Sequence, residues 1–241
     1  MKIWGITDIG AVRSDNQDSY RIEQLGDEAA LVAVCDGMGG ARAGNVASSV
    51  AADALVGAVK TAAAAAGAPR PWPEILSESV CAANRAVHEL SRSQEEYHGM
   101  GTTLVAAIIT GERIFVANVG DSRCYQIREG TIQRISRDHS LVEDLVERGE
   151  ITREEARHHP KRNLITRALG VDRDVKVDLF ERENCGGYLL LCSDGLSNLA
   201  TEEELRTEIV REDKESCCSR LLRLALDRGA PDNVTAVVVQ L

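Results

Sequence analysis

The chain has 241 residues, a formal net charge of −10, 44% hydrophobic residues and 27% charged residues. This length suits one large domain or two small ones, and because no linker-like stretch divides the chain we expect a single domain over residues 1–241. A general nucleic-acid binder needs a basic face to neutralise phosphates, so the acidic balance argues against that class.

The seven cysteines are scattered without the spacing of a zinc site, which suits a reducing compartment. The N-terminal residues lack the apolar stretch of a signal peptide, and no run of about 18 apolar residues occurs. We therefore expect a cytoplasmic protein with no membrane association.

Three strands are predicted near the N-terminus, over residues 2–8, 19–23 and 29–35. The polar stretch between the first two contains Arg13 and Asp18. Arg13 is a candidate phosphate ligand because a guanidinium can bind a phosphate with two hydrogen bonds. A surface turn with a structural ion pair explains the same stretch, and the spacing does not decide between the two.

The third strand is an apolar run that ends in Asp36, followed by the glycine-rich residues 37–40. An aspartate is almost never fully buried without a partner, and this placement is a common way to hold a hard cation. The glycines match neither the dinucleotide fingerprint nor the phosphate-binding loop ending in Gly-Lys-Ser/Thr. The pattern therefore favours a metal site over a nucleotide site.

Helical spacing of apolar residues predicts helices over residues 42–66 and 74–91. Hairpins follow over residues 104–119 and 124–135, so much of the sheet structure is expected to be antiparallel. His88 and His98 are both interpreted as structural.

Residues 137–170 are polar and short of core residues, with helices predicted over 141–148 and 152–157. Residues 157–167 are positively charged within an acidic protein. They form either a solvated excursion or a flap beside the site that meets an anionic substrate, and both interpretations stay open.

In the C-terminal part, strands are predicted over residues 175–180, 187–192 and 234–239, and helices over 201–210 and 214–228. Thr201 and Glu204 have the spacing of a capping box. Aspartates again stand at the ends of apolar strands. Together with the earlier ones they make a set of four: Asp36, Asp121, Asp194 and Asp232.

Each of these aspartates alone is explained by an ordinary turn. Four in one chain suggest that the strand ends converge, and clustered carboxylates repel one another unless a cation neutralises them. Ligands that offer only oxygen favour Mg²⁺ or Mn²⁺ over zinc. Two such ions could polarise a phosphoryl group and generate a hydroxide.

The motifs occur in a fixed order along nearly the whole chain: Arg13…Asn16-Gln17-Asp18, Asp36-Gly37-Met38-Gly39-Gly40, Met100-Gly101-Thr102-Thr103, Gly120-Asp121-Ser122-Arg123, Ser193-Asp194-Gly195-Leu196 and Asp232-Asn233-Val234-Thr235. In this set the chain resembles the bacterial branch of the metal-dependent PPM protein serine/threonine phosphatases. The resemblance implies an α+β fold, an αββα sandwich of two mainly antiparallel sheets flanked by helices. Residues 137–170 fall where that family carries a helical flap.

The resemblance also implies roles for single residues. Asp36 would bridge two metal ions, with the carbonyl of Gly37 on the second ion, and Arg13 would bind the substrate phosphate. Asp18 would orient metal-bound water. The remaining aspartates would complete the ion sites, Asp194 and Asp232 at the first ion and Asp121, with Asp194, at a weaker third ion.

Two positions depart from many eukaryotic members of that family. Met38 stands where they have a histidine proposed as general acid, so a metal-bound water or another group must protonate the leaving oxygen. Gln17 stands where they have a glutamate, so the second ion has fewer charged neighbours.

The resemblance predicts hydrolysis of phosphoserine and phosphothreonine in proteins by a metal-bridged hydroxide, with two or three Mn²⁺ or Mg²⁺ ions. The expected partners are phosphorylated proteins and a cognate Hanks-type serine/threonine kinase, and the chain is expected to act as a monomer. The alternatives are a metal-dependent phosphodiesterase or nuclease, a non-catalytic pseudophosphatase that binds partners, and a partner-switching regulator acting on anti-sigma antagonists.

Overall fold

The computed structural model describes residues 1–26, 29–65, 70–213 and 215–241, with the backbone alone at residues 40–42. The strands in these ranges are β1 (Lys2–Asp8), β2 (Asp18–Leu25), β3 (Ala29–Met38), β4 (Gly101–Thr102), β5 (Leu104–Ile109), β6 (Arg113–Val119), β7 (Arg123–Arg128), β8 (Thr131–Arg134), β9 (Asp178–Glu183), β10 (Tyr188–Cys192) and β11 (Val234–Gln240). The helices are α1 (Gly40–Ala63), α2 (Trp72–Ser93), α3 (Leu141–Glu147), α4 (Arg153–His158), α5 (Asp194–Ser197), α6 (Glu202–Val210) and α7 (Cys217–Leu226).

The strands form two antiparallel sheets. One has the order β1-β11-β10-β7-β8, and the other has the order β2-β3-β5-β6-β9, with the short strand β4 paired to β3. Consecutive strands pair as hairpins at β5–β6 and β7–β8, as the sequence predicts, and also at β2–β3.

Alternating side chains of β3 show why the sheets stack as they do. Leu31 and Ala33 are fully buried in a cluster with α1 and α2, whereas Val32 and Val34 are fully buried against the other sheet. Successive side chains of a strand point to opposite faces, so a strand that is apolar on both faces must be covered twice. Helices α5, α6 and α7 cover the outer face of the β1-β11-β10-β7-β8 sheet. The predicted αββα sandwich is confirmed.

Helix α1 is the one helix in the described ranges that is long and apolar enough to span a membrane by length and composition, over Ala43–Ala63. In this structure its buried face packs on β3 and on α2. Ala47, Ala51 and Leu55 have no exposed surface. The apolar character of the helix therefore has an explanation in the core.

The boundaries of two strands, β3 and β9, differ most from the sequence prediction. β3 continues through Asp36 to Met38, because Gly37 and Met38 pair with the short strand β4, where a glycine-rich turn was expected. β9 begins at Asp178 and not at residue 175, since Val175 and Val177 pack against the helix-covered core outside any strand. The predicted ends of α1 and α7 at residues 66 and 214 lie outside the described residues.

Residues 137–170 follow β8, the last strand of the β1-β11-β10-β7-β8 sheet. They carry α3 and α4, which lie close to the predicted helices. Thr152 and Glu155 form a capping box at the start of α4. The predicted capping box of Thr201 and Glu204 is present at the start of α6. We refer to residues 137–170 as the flap.

Candidate metal and substrate site

The two sheets meet at a pair of carboxylates. Asp18 at the start of β2 lies opposite Asp36 in the register of β2 and β3. The Ser193 hydroxyl, which precedes α5, donates to Oδ2 of Asp18 over 2.7 Å, and it accepts the Thr235 amide over 3.0 Å. These contacts hold the end of β3 in one sheet next to the ends of β10 and β11 in the other.

A cleft of about 490 Å³ opens at this junction. Its lining includes six of the seven residues that the sequence analysis selected: Arg13, Asp36, Gly37, Asp121, Asp194 and Asp232. The seventh, Asp18, is 7% exposed and lies beside Asp36. The structure thus brings together all of the candidate site residues.

The electrostatics of the cleft are those of crowded carboxylates. Burial, followed by repulsion from the neighbouring aspartates, raises the pKa of Asp18 to about 7 and that of Asp121 to about 8. The same two causes raise the pKa of Asp36 well above its ordinary value, and that of Asp194 is also raised. A carboxylate cluster with this field is short of positive charge.

Three observations fit a divalent ion at this place. Oδ1 of Asp18 is buried without a hydrogen-bond partner. A Cβ at Gly37 would collide with the Gly44 carbonyl, so only glycine allows this backbone to lie here. The side-chain donors are all carboxylate oxygens, which hard cations prefer. As the side chains stand, no three His, Cys, Asp or Glu residues within the described ranges form a closed ion-binding group.

Arg13 lies at the rim of the cleft, with about half of its side chain exposed. It donates a hydrogen bond to Oδ2 of Asp232 over 2.7 Å. A structural ion pair is the alternative explanation that the sequence allows for Arg13. The pair with Asp232 is present, but it lies inside the candidate site. Arg13 therefore lines the cleft and is bound to one of its aspartates.

Thr103 is a residue whose part in the site the sequence analysis did not recognise. Its hydroxyl accepts the Asp36 amide over 3.0 Å and shares a hydrogen bond of 2.7 Å with the Ser122 hydroxyl. It is 2% exposed and connects the residues on either side of the cleft. The only sequence signal for it is its place in the Met-Gly-Thr-Thr motif.

The flap lies beside the same carboxylates. A second cavity of about 520 Å³ is lined by Arg157 and Arg162 of the flap and also by Asp121, Asp194 and Asp232. The two cavities therefore share an acidic edge. Residues of α5 and of the start of α6, among them Ser197 and Glu202, also line this second cavity.

The protein phosphatase 2C family model matches residues 11–225. This chain belongs to the protein phosphatase 2C family. It is thus a protein phosphatase, a hydrolase of phosphate esters, and enzymes of this family type are metal-dependent.

Similar proteins cover nearly the full chain. The serine/threonine phosphatase stp of Listeria welshimeri is 39% identical over 240 residues, which are 97% of this chain and 93% of that protein. The crystal structure of the Mycobacterium tuberculosis serine/threonine phosphatase PstP/Ppp has a TM-score of 0.88 and 38% identity, covering 100% of this chain and 98% of that one. A structure of the PstP catalytic domain in complex with two manganese ions has a TM-score of 0.85 and 36% identity, covering 99% of this chain and 97% of that chain.

Proposed function

We propose that this phosphatase hydrolyses phosphoserine and phosphothreonine in proteins, and that the cleft at the sheet junction is its active site. The observation that carries the proposal is the convergence of four strand-end aspartates and Arg13 in one cleft. The raised carboxyl pKa values support it, because such a cluster binds cations.

The ligands of two divalent ions, Mn²⁺ or Mg²⁺, would be Asp36, the Gly37 carbonyl, Asp194 and Asp232. Asp121, with Asp194, would hold a third and weaker ion. When bound, such ions supply positive charge that polarises the phosphoryl group and makes water more acidic.

Side chains of the cleft would bind the phosphate and orient the attacking water. Arg13 would bind the phosphate and stabilise the charge that develops in the transition state. Oδ1 of Asp18 would accept a hydrogen bond from the attacking water and orient it, because this atom is buried and unpartnered while Ser193 holds Oδ2. Met38 cannot donate a proton, so the leaving oxygen would take its proton from water or from another group.

We further propose that residues 1–241 act as one monomeric domain in the cytoplasm, opposing a serine/threonine kinase. The core between the two sheets contains side chains from β3 and from β11, which supports a single unit. The cysteines, all within the described ranges, are unpaired, as suits a reducing compartment. The basic flap side chains Arg157 and Arg162 suit an acidic or phosphorylated polypeptide.

The direct test is phosphate release from a phosphothreonine peptide with Mn²⁺, with Mg²⁺ and with EDTA. We expect release with either metal and none with EDTA. Asp53→Asn is the matched control for the Asp36→Asn variant, because Asp53 lies on the exposed side of α1, paired with Arg21. No release by folded protein with either metal would contradict the proposal and favour a pseudophosphatase. Faster hydrolysis of bis-p-nitrophenyl phosphate than of the peptide would favour a phosphodiesterase.

A further inference from the structure

The two ends of the flap meet at His139. The Thr166 amide at the returning end donates to the His139 carbonyl over 2.8 Å, and the Leu141 amide donates to the Leu164 carbonyl over 2.9 Å. His139 is 4% exposed. It therefore lies in the base of the flap, where the outgoing and returning segments are hydrogen-bonded to each other.

His139 is also bound to the end of β6 through Gly120. The Gly120 amide donates to Nδ1 of the imidazole over 3.0 Å, and the Gly120 carbonyl accepts the His139 amide over 2.9 Å. Because Nδ1 accepts a hydrogen bond, the neutral ring carries its proton on Nε2. That nitrogen lies 3.2 Å from Oδ2 of Asp178 and 2.9 Å from Nη1 of Arg167. The same Nη1 donates to Oδ1 of Asp178 over 2.7 Å, so the imidazole and the guanidinium share this carboxylate.

Gly120 is also constrained independently of its contact with His139. Its φ angle is +106°, and a Cβ there would lie 2.6 Å from the Thr103 side chain. The next residue but one, Ser122, is bound to the same threonine. Asp121 therefore stands between two fixed points, one supplied by His139 and the other by Thr103.

We propose that His139 is a positioning residue for Asp121, and that it joins the carboxylate to the base of the flap. The inference rests on the proposed function in one respect, the assignment of Asp121 as an ion ligand. The groups around an ion ligand orient it, and their loss weakens ion binding without removing a ligand. His139 acts through the backbone of Gly120 and does not touch the ion.

Two substitutions of similar size separate the two sides of the ring. Asn in place of His139 puts its amide oxygen near the position of Nδ1, so it can still accept from Gly120 but loses Asp178. Gln puts its amide nitrogen near the position of Nε2, so it can still donate to Asp178 but loses Gly120. Asp178→Asn weakens the second contact without changing the ring.

The experiment compares these variants in two measurements, hydrogen exchange of the Gly120 amide in the metal-free protein and calorimetric titration with Mn²⁺. For His139→Gln we expect faster exchange at Gly120 and about a tenfold or greater loss of affinity at the weakest Mn²⁺ site. For His139→Asn and Asp178→Asn we expect exchange at Gly120 and Mn²⁺ affinity close to those of the unmodified protein.

An equal effect of the Gln and Asn variants, or no effect of either, would overturn the inference, because a merely structural histidine tolerates both equally. In an Asp121→Asn background, His139→Gln should cause no further loss of Mn²⁺ affinity; an additional loss of the same size would also overturn it. Peptide hydrolysis by the unmodified protein, measured separately, tests the proposed function, so the two can fail independently.

Discussion

Arg13 and Asp232, 219 residues apart in the sequence, form an ion pair of 2.7 Å at the mouth of the cleft. The same contact raises the pKa of the guanidinium, mainly through the hydrogen bond to Asp232. In the proposed mechanism these two groups bind different partners, the phosphate and an ion. Binding of substrate and ion would then replace the Arg13–Asp232 ion pair with two others, Arg13 with the phosphate and Asp232 with the ion.

This relationship predicts the behaviour of Arg13→Ala. Substrate binding should weaken, raising KM by about 10- to 100-fold, the equivalent of the about 1.5–3 kcal/mol that a hydrogen bond to a charged group contributes. Steady-state kinetics on a phosphothreonine peptide measure the effect. Arg13→Lys keeps the charge without the two-pronged geometry, so its KM should lie between those of the unmodified protein and the alanine variant. An unchanged KM in the alanine variant would contradict the assigned role.

Replacing a carboxylate that we assign as an ion ligand should remove activity without unfolding the chain. Loss of a group that only orients an ion ligand typically lowers metal affinity or activity by about 10- to 100-fold. Asp36→Asn and Asp194→Asn change a ligand itself, so we expect a larger fall in the rate of phosphate release. Because each change removes one member of a repelling cluster, the metal-free variants should melt no lower than the unmodified protein. Peptide hydrolysis and thermal melts are the measurements.

Asp53→Asn is the control for this pair, since it makes the same chemical change at an exposed helix position. Its activity and melting temperature should match those of the unmodified protein. Activity retained in Asp36→Asn at saturating Mn²⁺ would show that the cleft is not the site of hydrolysis.

The resemblance implied the αββα arrangement, whereas the positions of its strands and helices could be predicted because their signals are local. The continuous apolar run of β3 and the hairpin turns around Gly111 and Gly130 determine strand positions from the sequence itself. The Thr201–Glu204 capping box likewise lies within one turn of chain. Each of these features is decided by residues only a few positions apart.

The sequence could not predict features that depend on distant pairing. The extension of β3 to Met38 requires β4, which lies more than 60 residues later and is only two residues long. The start of β9 at Asp178 depends on pairing with Asn118 of β6. β4 is too short for a periodic pattern, and the alternation that predicts the other strand begins at residue 175, before β9 itself.

The same division applies to the candidate site. Strand-end aspartates are visible in the sequence, but the contacts that hold them are not. Thr103 binds both the Asp36 amide and the Ser122 side chain, and no spacing rule relates these positions. His139 was not selected either, because a single histidine before a serine carries no distinctive pattern.

The raised carboxyl pKa values predict how stability depends on pH in the absence of metal. Folding raises the pKa of Asp18 to about 7 and of Asp121 to about 8, whereas in the unfolded chain both titrate near about 4. Between these values the folded protein holds more protons than the unfolded one, so the free energy of unfolding falls as pH rises.

Urea denaturation in EDTA at about pH 5 and about pH 8 checks this expectation. The contribution of these groups should be fully present below about pH 4 and lost by about pH 8. Asp121→Asn should make the decline shallower, and saturating Mn²⁺ should raise stability most at the higher pH. Stability contributed by this cluster that increases from pH 5 to pH 8 in EDTA would contradict the prediction.

Thr103→Val tests the connection between the two sides of the cleft. Valine keeps the shape of threonine but leaves the buried Asp36 amide without its acceptor and the Ser122 hydroxyl without its partner. An unsatisfied buried group costs about 1–3 kcal/mol, so the free energy of unfolding should fall by that amount. Mn²⁺ affinity should fall as well, because Asp36 and Asp121 lose a shared anchor. Thr103→Ser retains the hydroxyl and should restore most of both quantities; equal losses in the two variants would mean that packing of the methyl group, and not the hydrogen bonds, is what this position supplies.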